Sequence, residues 1–157
     1  MRISARGLTR RFAGEAAVLT FEDFDLDVSG AVAIVGASGV GKTTLLNLLA
    51  GIDRGTFAAP GGQLVYDFGD GPAANVASGD AVPRERMSFI FQKGYLLGAL
   101  SLGLNIAAPA ALAGRDLDEA EIAADLAAVG LDPARADARP NEVSGGQAQR
   151  VGILRAL

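Results

Sequence analysis

The sequence contains no cysteine and no histidine. It therefore holds no disulfide, and the commonest zinc sites are excluded. Any mechanism in which a histidine of this chain acts as general base is excluded as well. The absence of cysteine is compatible with a reducing compartment but does not require one.

Charged residues are also few, and their balance is mildly acidic. They make up 20% of the 157 residues, with a net charge of −4, while half of the residues are hydrophobic. An acidic chain lacks the basic face with which sequence-independent nucleic-acid binders displace counterions, so we expect no nucleic-acid partner. The hydrophobic content excludes disorder, and the length fits about one domain.

Long apolar runs are nearly absent. Only residues 94–114 are free of charge over a length that could span a membrane, which takes about 20 residues. Their four glycines, together with Asn105 and Pro109, favour a buried pair of helices instead. The N-terminus is basic, but no apolar run follows it, so a secretory signal is not expected. We expect a soluble chain.

The hydrophobic periodicity predicts an α/β fold with a helical insert. Residues 21–28 alternate as in a strand with one wet face, and residues 63–68 form a second strand. The apolar runs 31–35 and 87–92 are typical of strands buried on both faces. Three helices are predicted, at 42–51, at 116–130 and from Ser144 onward.

Residues 36–44, GASGVGKTT, match the pattern G-x-x-x-x-G-K-[ST]. Glycines let successive backbone N–H groups surround a phosphate, and the following helix directs its positive end at the same anion. Lys42 would contact the β- and γ-phosphates, and the Thr43 hydroxyl would hold Mg²⁺. The alternative is a glycine-rich turn with a chance lysine. Kinases, GTPases and ATPases share this loop, so the loop alone leaves the nucleotide open.

A second candidate anion site lies at residues 143–147, VSGGQ. Ser144 is a good N-cap for the last helix, and Gly145 and Gly146 leave its first N–H groups uncovered. Taken alone, Ser-Gly is more simply an ordinary capped helix. The whole run, followed by AQRVGILRAL, is far more particular.

The two motifs together resemble the ATP-binding cassette family, the ATPase subunits of ABC transporters. Val143 stands where the family signature L-S-G-G-Q has leucine. The resemblance implies a P-loop NTPase fold with an antiparallel β subdomain and an α-helical insert. It divides the chain into a nucleotide-binding core and β subdomain (1–92), a helical subdomain (93–143) and a signature helix (144–157), which together make a partial ABC ATPase domain without the C-terminal strands.

The resemblance also implies the site residues. Gln92 matches the glutamine that links Mg²⁺ and the attacking water to the membrane partner, so Thr43 and Gln92 are the expected metal-site residues. Phe12 matches an aromatic residue that stacks on adenine, unless it is simply a core residue. The expected ATP-binding residues are Phe12, Gly36, Ala37, Ser38, Gly39, Val40, Gly41, Lys42, Thr43, Thr44 and Gln92. The expected signature residues, contacting ATP of a second subunit, are Val143, Ser144, Gly145, Gly146 and Gln147.

The resemblance further implies ATP and Mg²⁺ as cofactors and two protein partners. One is a second ATPase subunit in a head-to-tail dimer, and the other is a transmembrane permease. This would place the chain in the cytoplasm, on the inner face of the cell membrane. Residues 91–112 and 140–157 look most like cassettes of lipoprotein-release and macrolide-export systems. The transported substrate and the direction of transport stay open.

The family pattern breaks off after the signature helix. No buried strand ending in Asp-Glu and no later histidine follows, and neither Asp118-Glu119 nor Glu22-Asp23 stands in an equivalent place. We therefore expect no catalytic residue within this chain, no turnover by it alone, and an exposed apolar sheet edge with poor solubility. The alternatives are a truncated, non-catalytic ATP-binding protein and a non-transport ABC ATPase.

Overall fold

The computed structural model describes residues 1–12, 18–57, 61–76, 81–92 and 96–157. Residues 93–95, the start of the predicted helical insert, lie outside the described residues. The chain divides into two units, Met1–Met87 and Ser88–Leu157. Among the described residues, the first carries all the strands and one α-helix, and the second carries three α-helices.

Two antiparallel sheets form the first unit. One has the strand order β4-β1-β6-β7, and the other has the order β3-β2-β5. Their bounds are Arg2–Arg6 (β1), Leu8–Arg11 (β2), Val18–Thr20 (β3), Phe24–Asp27 (β4), Thr56–Phe57 (β5), Gln63–Asp67 (β6) and Ala74–Asn75 (β7). The predicted strands at 21–28 and 63–68 are confirmed as β4 and β6. Sequence reasoning missed the other five described strands. Among them β1 pairs with the distant strands β4 and β6, whereas β2 and β3 pair locally as a hairpin.

Helix α1 (Lys42–Leu49) packs its apolar face against these sheets. Leu48 and Leu49 are buried together with Leu64 and Tyr66 of β6. The Tyr66 hydroxyl donates a 2.8 Å hydrogen bond to the Leu49 carbonyl, which ties the last turn of α1 to β6. Burial raises the pKa of Tyr66 above its ordinary value. The core therefore holds the helix that follows the glycine loop.

The predicted strands at 31–35 and 87–92 are wrong for the described residues. Neither segment forms a ladder with another described segment, and neither is buried on both faces. Val32 is 47% exposed, Val35 85% and Ile90 49%. An apolar run becomes a central strand only where neighbours complete its hydrogen bonds, and both sheets are built from other segments.

The second unit comprises α2 (Leu102–Leu112), α3 (Glu119–Ala128) and α4 (Gly145–Leu154). The core contains Leu102, Ile106, Leu126, Leu131 and Val151. The predicted helices at 116–130 and from Ser144 are confirmed. The expected helix pair at 94–114 is wrong, because the described part of that stretch carries only α2. Among the described residues no helix has both the length and the apolar character to cross a membrane.

Candidate functional site

The glycine loop leads directly into α1, as the sequence predicts. Gly41 is the N-cap residue, with φ 102°, and no side chain of the described residues caps this end of the helix. Gly39 also has positive φ, at 79°. Glycine adopts this left-handed region without steric cost, which other residues rarely do. The loop thus presents an uncapped helix N-terminus, the arrangement that suits an anion.

The Lys42 side chain folds back and hydrogen-bonds to the glycine loop that precedes it. Its ammonium donates hydrogen bonds to the carbonyl oxygens of Gly36 (2.9 Å) and Ala37 (2.6 Å). An ammonium has three hydrogens, so the third has no partner among the described residues. The side chain is therefore held against the carbonyls of its own loop with donor capacity remaining. A phosphate there would meet both a positive charge and the helix end.

The other predicted loop residues accompany Lys42. Gly36, Ala37, Ser38, Gly39, Val40 and Thr43 are exposed, and Gly41 and Thr44 are half-buried. The Thr43 hydroxyl therefore stands in the first turn of α1 with access to solvent. Among the described residues, no cluster of three or more histidine, cysteine, aspartate or glutamate side chains could hold a metal by itself.

The β2–β3 hairpin lies against this loop. In its register Arg10 is opposite Leu19, and a Cβ built on Gly41 would lie 2.8 Å from Leu19 Cδ2. Phe12 follows β2 directly and is half-buried. The Arg10 guanidinium lies over the Phe12 ring, 5.0 Å from its centroid. Strand β2, which leads into Phe12, is thereby paired with β3, and Leu19 of β3 touches the glycine loop at Gly41.

The signature residues begin α4. Ser144 is the N-cap, as predicted: its Oγ accepts from the Gln147 N–H at 3.3 Å. In return the Ser144 N–H donates to Gln147 Oε1 at 2.8 Å, which completes a capping box. Gly145 and Gly146 are exposed, and a Cβ on either would meet no atom within 4 Å. Val143 packs against the core of the second unit and anchors the motif.

The remaining predicted site residue, Gln92, is exposed and follows the segment 87–91. It belongs to the second unit, as do the signature residues, whereas Phe12 and the glycine loop belong to the first. The structure thus brings the glycine loop together with strands β2 and β3, between which Phe12 lies in the chain. Separately, it brings the five signature residues together at the start of α4.

A family model described as ABC transporter matches residues 21–157. The chain belongs to the ABC transporter family. This confirms the resemblance drawn from the glycine loop and the signature, and with it the α/β P-loop fold.

Several curated ABC relatives are macrolide-export proteins. The chain is 41% identical to the macrolide export ATP-binding/permease protein MacB of Rhodopseudomonas palustris (strain BisB18), over 99% of this chain and 24% of that protein. It is 37% identical to the lipoprotein-releasing system ATP-binding protein LolD of Chromohalobacter salexigens, over 99% of this chain and 65% of that protein. Macrolide export and lipoprotein release are the two subgroups that the sequence indicates. The chain spans about a quarter of the length of the macrolide-export relatives it matches.

Solved ABC structures agree with the fold. A dimeric bacterial ABC transporter cassette superposes with a TM-score of 0.76 at 26% identity, over 99% of this chain and 68% of that one. The same cassette in a post-hydrolysis state, bound to ADP and Pi, gives the same values. A putative ABC transporter ATP-binding protein from Pyrococcus furiosus, at 20% identity and a TM-score of 0.70, matches in fold alone.

Sequence reasoning missed two residues beside the site, Arg10 and Asp53. They form an ion pair although 43 positions separate them in the chain. Neither belongs to a motif, so only the tertiary contact reveals them.

Proposed function

We propose that this chain is the ATP-binding part of an ABC transporter that couples ATP hydrolysis to transport. The observation that carries the proposal is the glycine loop: an uncapped helix N-terminus with Lys42 folded over the loop carbonyls. Helix dipole, backbone N–H groups and ammonium all favour a polyphosphate at the same place. The predicted loop residues 36–44 would bind the phosphates, and Phe12 would stack on adenine. The relatives named as ATP-binding proteins support the choice of nucleotide.

Mg²⁺ fits this site as a partner of the nucleotide. The described residues offer no cluster of carboxylates for it, whereas Thr43 offers a hydroxyl beside the loop. Mg²⁺ commonly keeps several waters and binds through one or two protein oxygens and the substrate phosphates. Thr43 and Gln92 would be its protein neighbours. When bound, it would neutralise charge on the phosphates.

The protein partners follow from the same assignment. Ser144 and the exposed N–H groups at Gly145 and Gly146 would contact the γ-phosphate of ATP on a second subunit, in a head-to-tail dimer. Support comes from the dimeric cassette of the same fold. A permease would hold the chain at the inner face of the membrane. The word permease in the names of the macrolide-export relatives supports a permease as partner.

Hydrolysis needs a group that polarises the attacking water, and we assign no residue of this chain to that role. Asp118 caps α3 and Glu121 completes its capping box, so these acidic residues serve the helix. The proposal is that the chain binds ATP without turning it over unless the water-activating groups are supplied. ATP-dependent phosphate release by the purified chain above a Lys42→Ala control would contradict this.

The first experiment is ATP binding with and without Lys42. We expect Lys42→Ala to raise the Kd for ATP-Mg²⁺ by at least about tenfold, because a charge-assisted contact to phosphate is lost. Arg115→Ala is the matched control, since it also removes one exposed positive charge, paired with Glu121 in the second unit. Isothermal titration calorimetry measures both. Equal affinity of Lys42→Ala and the unmodified chain would overturn the assignment of this loop.

A further inference from the structure

Arg10 is held in one orientation beside Phe12. Its Nε donates to Asp53 Oδ2 at 2.8 Å, and a terminal nitrogen pairs with Asp53 Oδ1 at 2.7 Å. The other terminal nitrogen donates to the Arg11 carbonyl at 2.6 Å. The Arg10 and Asp53 side chains are only 25% and 26% exposed. A two-pronged guanidinium–carboxylate pair fixes a plane as well as a distance.

Asp53 is itself anchored to the end of α1. Its backbone N–H donates to the Asn47 carbonyl at 3.1 Å, and its Oδ1 accepts from the Arg54 N–H at 2.9 Å. Helix α1 begins at Lys42 in the glycine loop. A continuous chain of contacts therefore runs from the phosphate loop through α1 and Asp53 to Arg10, and from Arg10 to the Phe12 ring.

The ring of Phe12 receives the guanidinium on one face. The separation of 5.0 Å from the ring centroid is within the range of a cation–π contact. Because Phe12 is half-buried, part of the ring stays open to solvent. No other aromatic ring contacts Phe12 within the described part of the chain. The guanidinium thus supports the ring, and Phe12 as a whole remains partly accessible.

We propose that Arg10 and Asp53 are positioning residues that orient Phe12 for stacking on the base of a bound nucleotide. The inference rests on the proposed function, since it needs a triphosphate at the glycine loop. On this proposal, the affinity for ATP has two contributions, one from the phosphates and one from the base. The phosphate part depends on Lys42, and the base part depends on the orientation of Phe12 through the Arg10–Asp53 pair.

The first unit contains a natural comparison. Arg86 also makes a two-pronged pair with Asp70, through its two terminal nitrogens at 2.8 and 2.7 Å, and its guanidinium lies 3.9 Å from the centroid of the Phe68 ring. Those side chains are more exposed, at 41% and 61%. The strand of Arg10 is paired to the strand of Leu19, which touches Gly41. Similar chemistry thus occurs at both places, and of these two arrangements the Arg10 one is linked to the glycine loop through described contacts.

The first test compares a ligand with a base and a ligand without one. Binding of ATP and of inorganic tripolyphosphate, each with Mg²⁺, is measured for the unmodified chain, Asp53→Asn, Arg10→Lys and the matched control Asp70→Asn. We expect Asp53→Asn and Arg10→Lys to raise the Kd for ATP about 3- to 10-fold. Neither substitution can form the two-pronged guanidinium–carboxylate pair that fixes Arg10 over Phe12. Tripolyphosphate affinity should stay within about twofold, and Asp70→Asn should change neither value.

The second test reads the ring directly. The chain contains no tryptophan, so Phe12→Trp introduces a single tryptophan, which can be excited selectively at wavelengths where tyrosine does not absorb. We expect ATP to quench this tryptophan more than tripolyphosphate does. In the Phe12→Trp background, Asp53→Asn should lower the fluorescence anisotropy of the nucleotide-free chain, because the ring loses its support. Asp70→Asn should leave the anisotropy unchanged.

Two results would overturn the inference. One is an equal loss of ATP and tripolyphosphate binding in Asp53→Asn and Arg10→Lys, which would make the pair a general support of the fold. The other is an unchanged Kd for ATP with unchanged anisotropy. Failure of the proposed function is distinguishable, since neither ligand would then bind in a way that depends on Lys42.

Discussion

At the scale of single residues, the glycine loop shows how position gives a side chain its role. Lys42 can fold back on the carbonyls of Gly36 and Ala37 because the intervening loop turns tightly. That turn needs the positive φ of Gly41, whose missing Cβ also makes room for Leu19. The sequence predicts the loop, whereas the contact with Leu19 comes from the packing of β3.

Tyr66 supplies a residue-scale prediction. Its hydroxyl is buried and donates to the Leu49 carbonyl, so Tyr66→Phe should lower the free energy of unfolding by about 1 to 2 kcal/mol at neutral pH. Above the ordinary tyrosine pKa of about 10, the unfolded chain ionises this group while the folded chain keeps its proton. Stability from Tyr66 is therefore present below that pH and is lost as the pH rises.

The measurement is urea unfolding of the two chains between neutral pH and about pH 11. The advantage of the unmodified chain over Tyr66→Phe should shrink as the pH rises, because the raised pKa of Tyr66 opposes ionisation in the fold. An advantage that is constant over this range would contradict the burial of the hydroxyl.

At the scale of elements, the helix starts are decided locally. Helices α3 and α4 both begin with a capping box, Asp118 with Glu121 and Ser144 with Gln147. Each box involves residues three apart, so a sequence pattern suffices to predict it. Helix α1 differs, since no side chain caps it and Gly41 stands at its start. A helix end left open in this way is suited to bind a ligand.

The two capping boxes give a matched prediction. Ser144→Ala and Asp118→Ala should each lower the free energy of unfolding by about 1 kcal/mol, because each leaves a first-turn N–H without its acceptor. Thermal or urea unfolding measures both. If Ser144→Ala also weakens ATP-dependent pairing and Asp118→Ala does not, the extra effect belongs to the signature. A Ser144→Ala chain as stable as the unmodified one would contradict the capping role.

Strands show where local patterns fail. The alternation in residues 21–28 predicts β4 correctly: Phe24 and Leu26 are half-buried, and the aspartates between and after them are exposed. The run 31–35 is apolar enough for a central strand, yet it pairs with no described segment and leaves Val35 85% exposed. Strand formation depends on partners far away in the chain, which the run itself does not encode.

At the scale of the whole molecule, the two candidate anion-binding motifs lie in different units, the glycine loop in Met1–Met87 and the signature in Ser88–Leu157. A head-to-tail dimer would use both motifs for each ATP. We expect ATP-Mg²⁺ to shift the chain toward a dimer, and Ser144→Arg to abolish that shift while leaving ATP affinity within about twofold. The arginine would place a bulky side chain where the second subunit's phosphate should dock.

Sedimentation velocity with and without ATP-Mg²⁺ measures this shift. Lys42→Ala is the control, since it should abolish the shift by preventing ATP binding instead. Exposed apolar residues such as Val35 favour association independent of nucleotide, so the dependence on ATP is the deciding quantity. An ATP-dependent dimer that survives Ser144→Arg would refute the role given to the signature.

The sequence by itself determined the phosphate loop, the capped helix starts and the family. Each of these depends on residues a few positions apart, where backbone geometry links residue type directly to conformation. The tertiary structure decided which strands pair and which apolar runs stay exposed. It also joined Arg10 to Asp53 and set Arg10 over Phe12. Contacts between residues 43 positions apart depend on how the whole chain packs, and no local pattern specifies them.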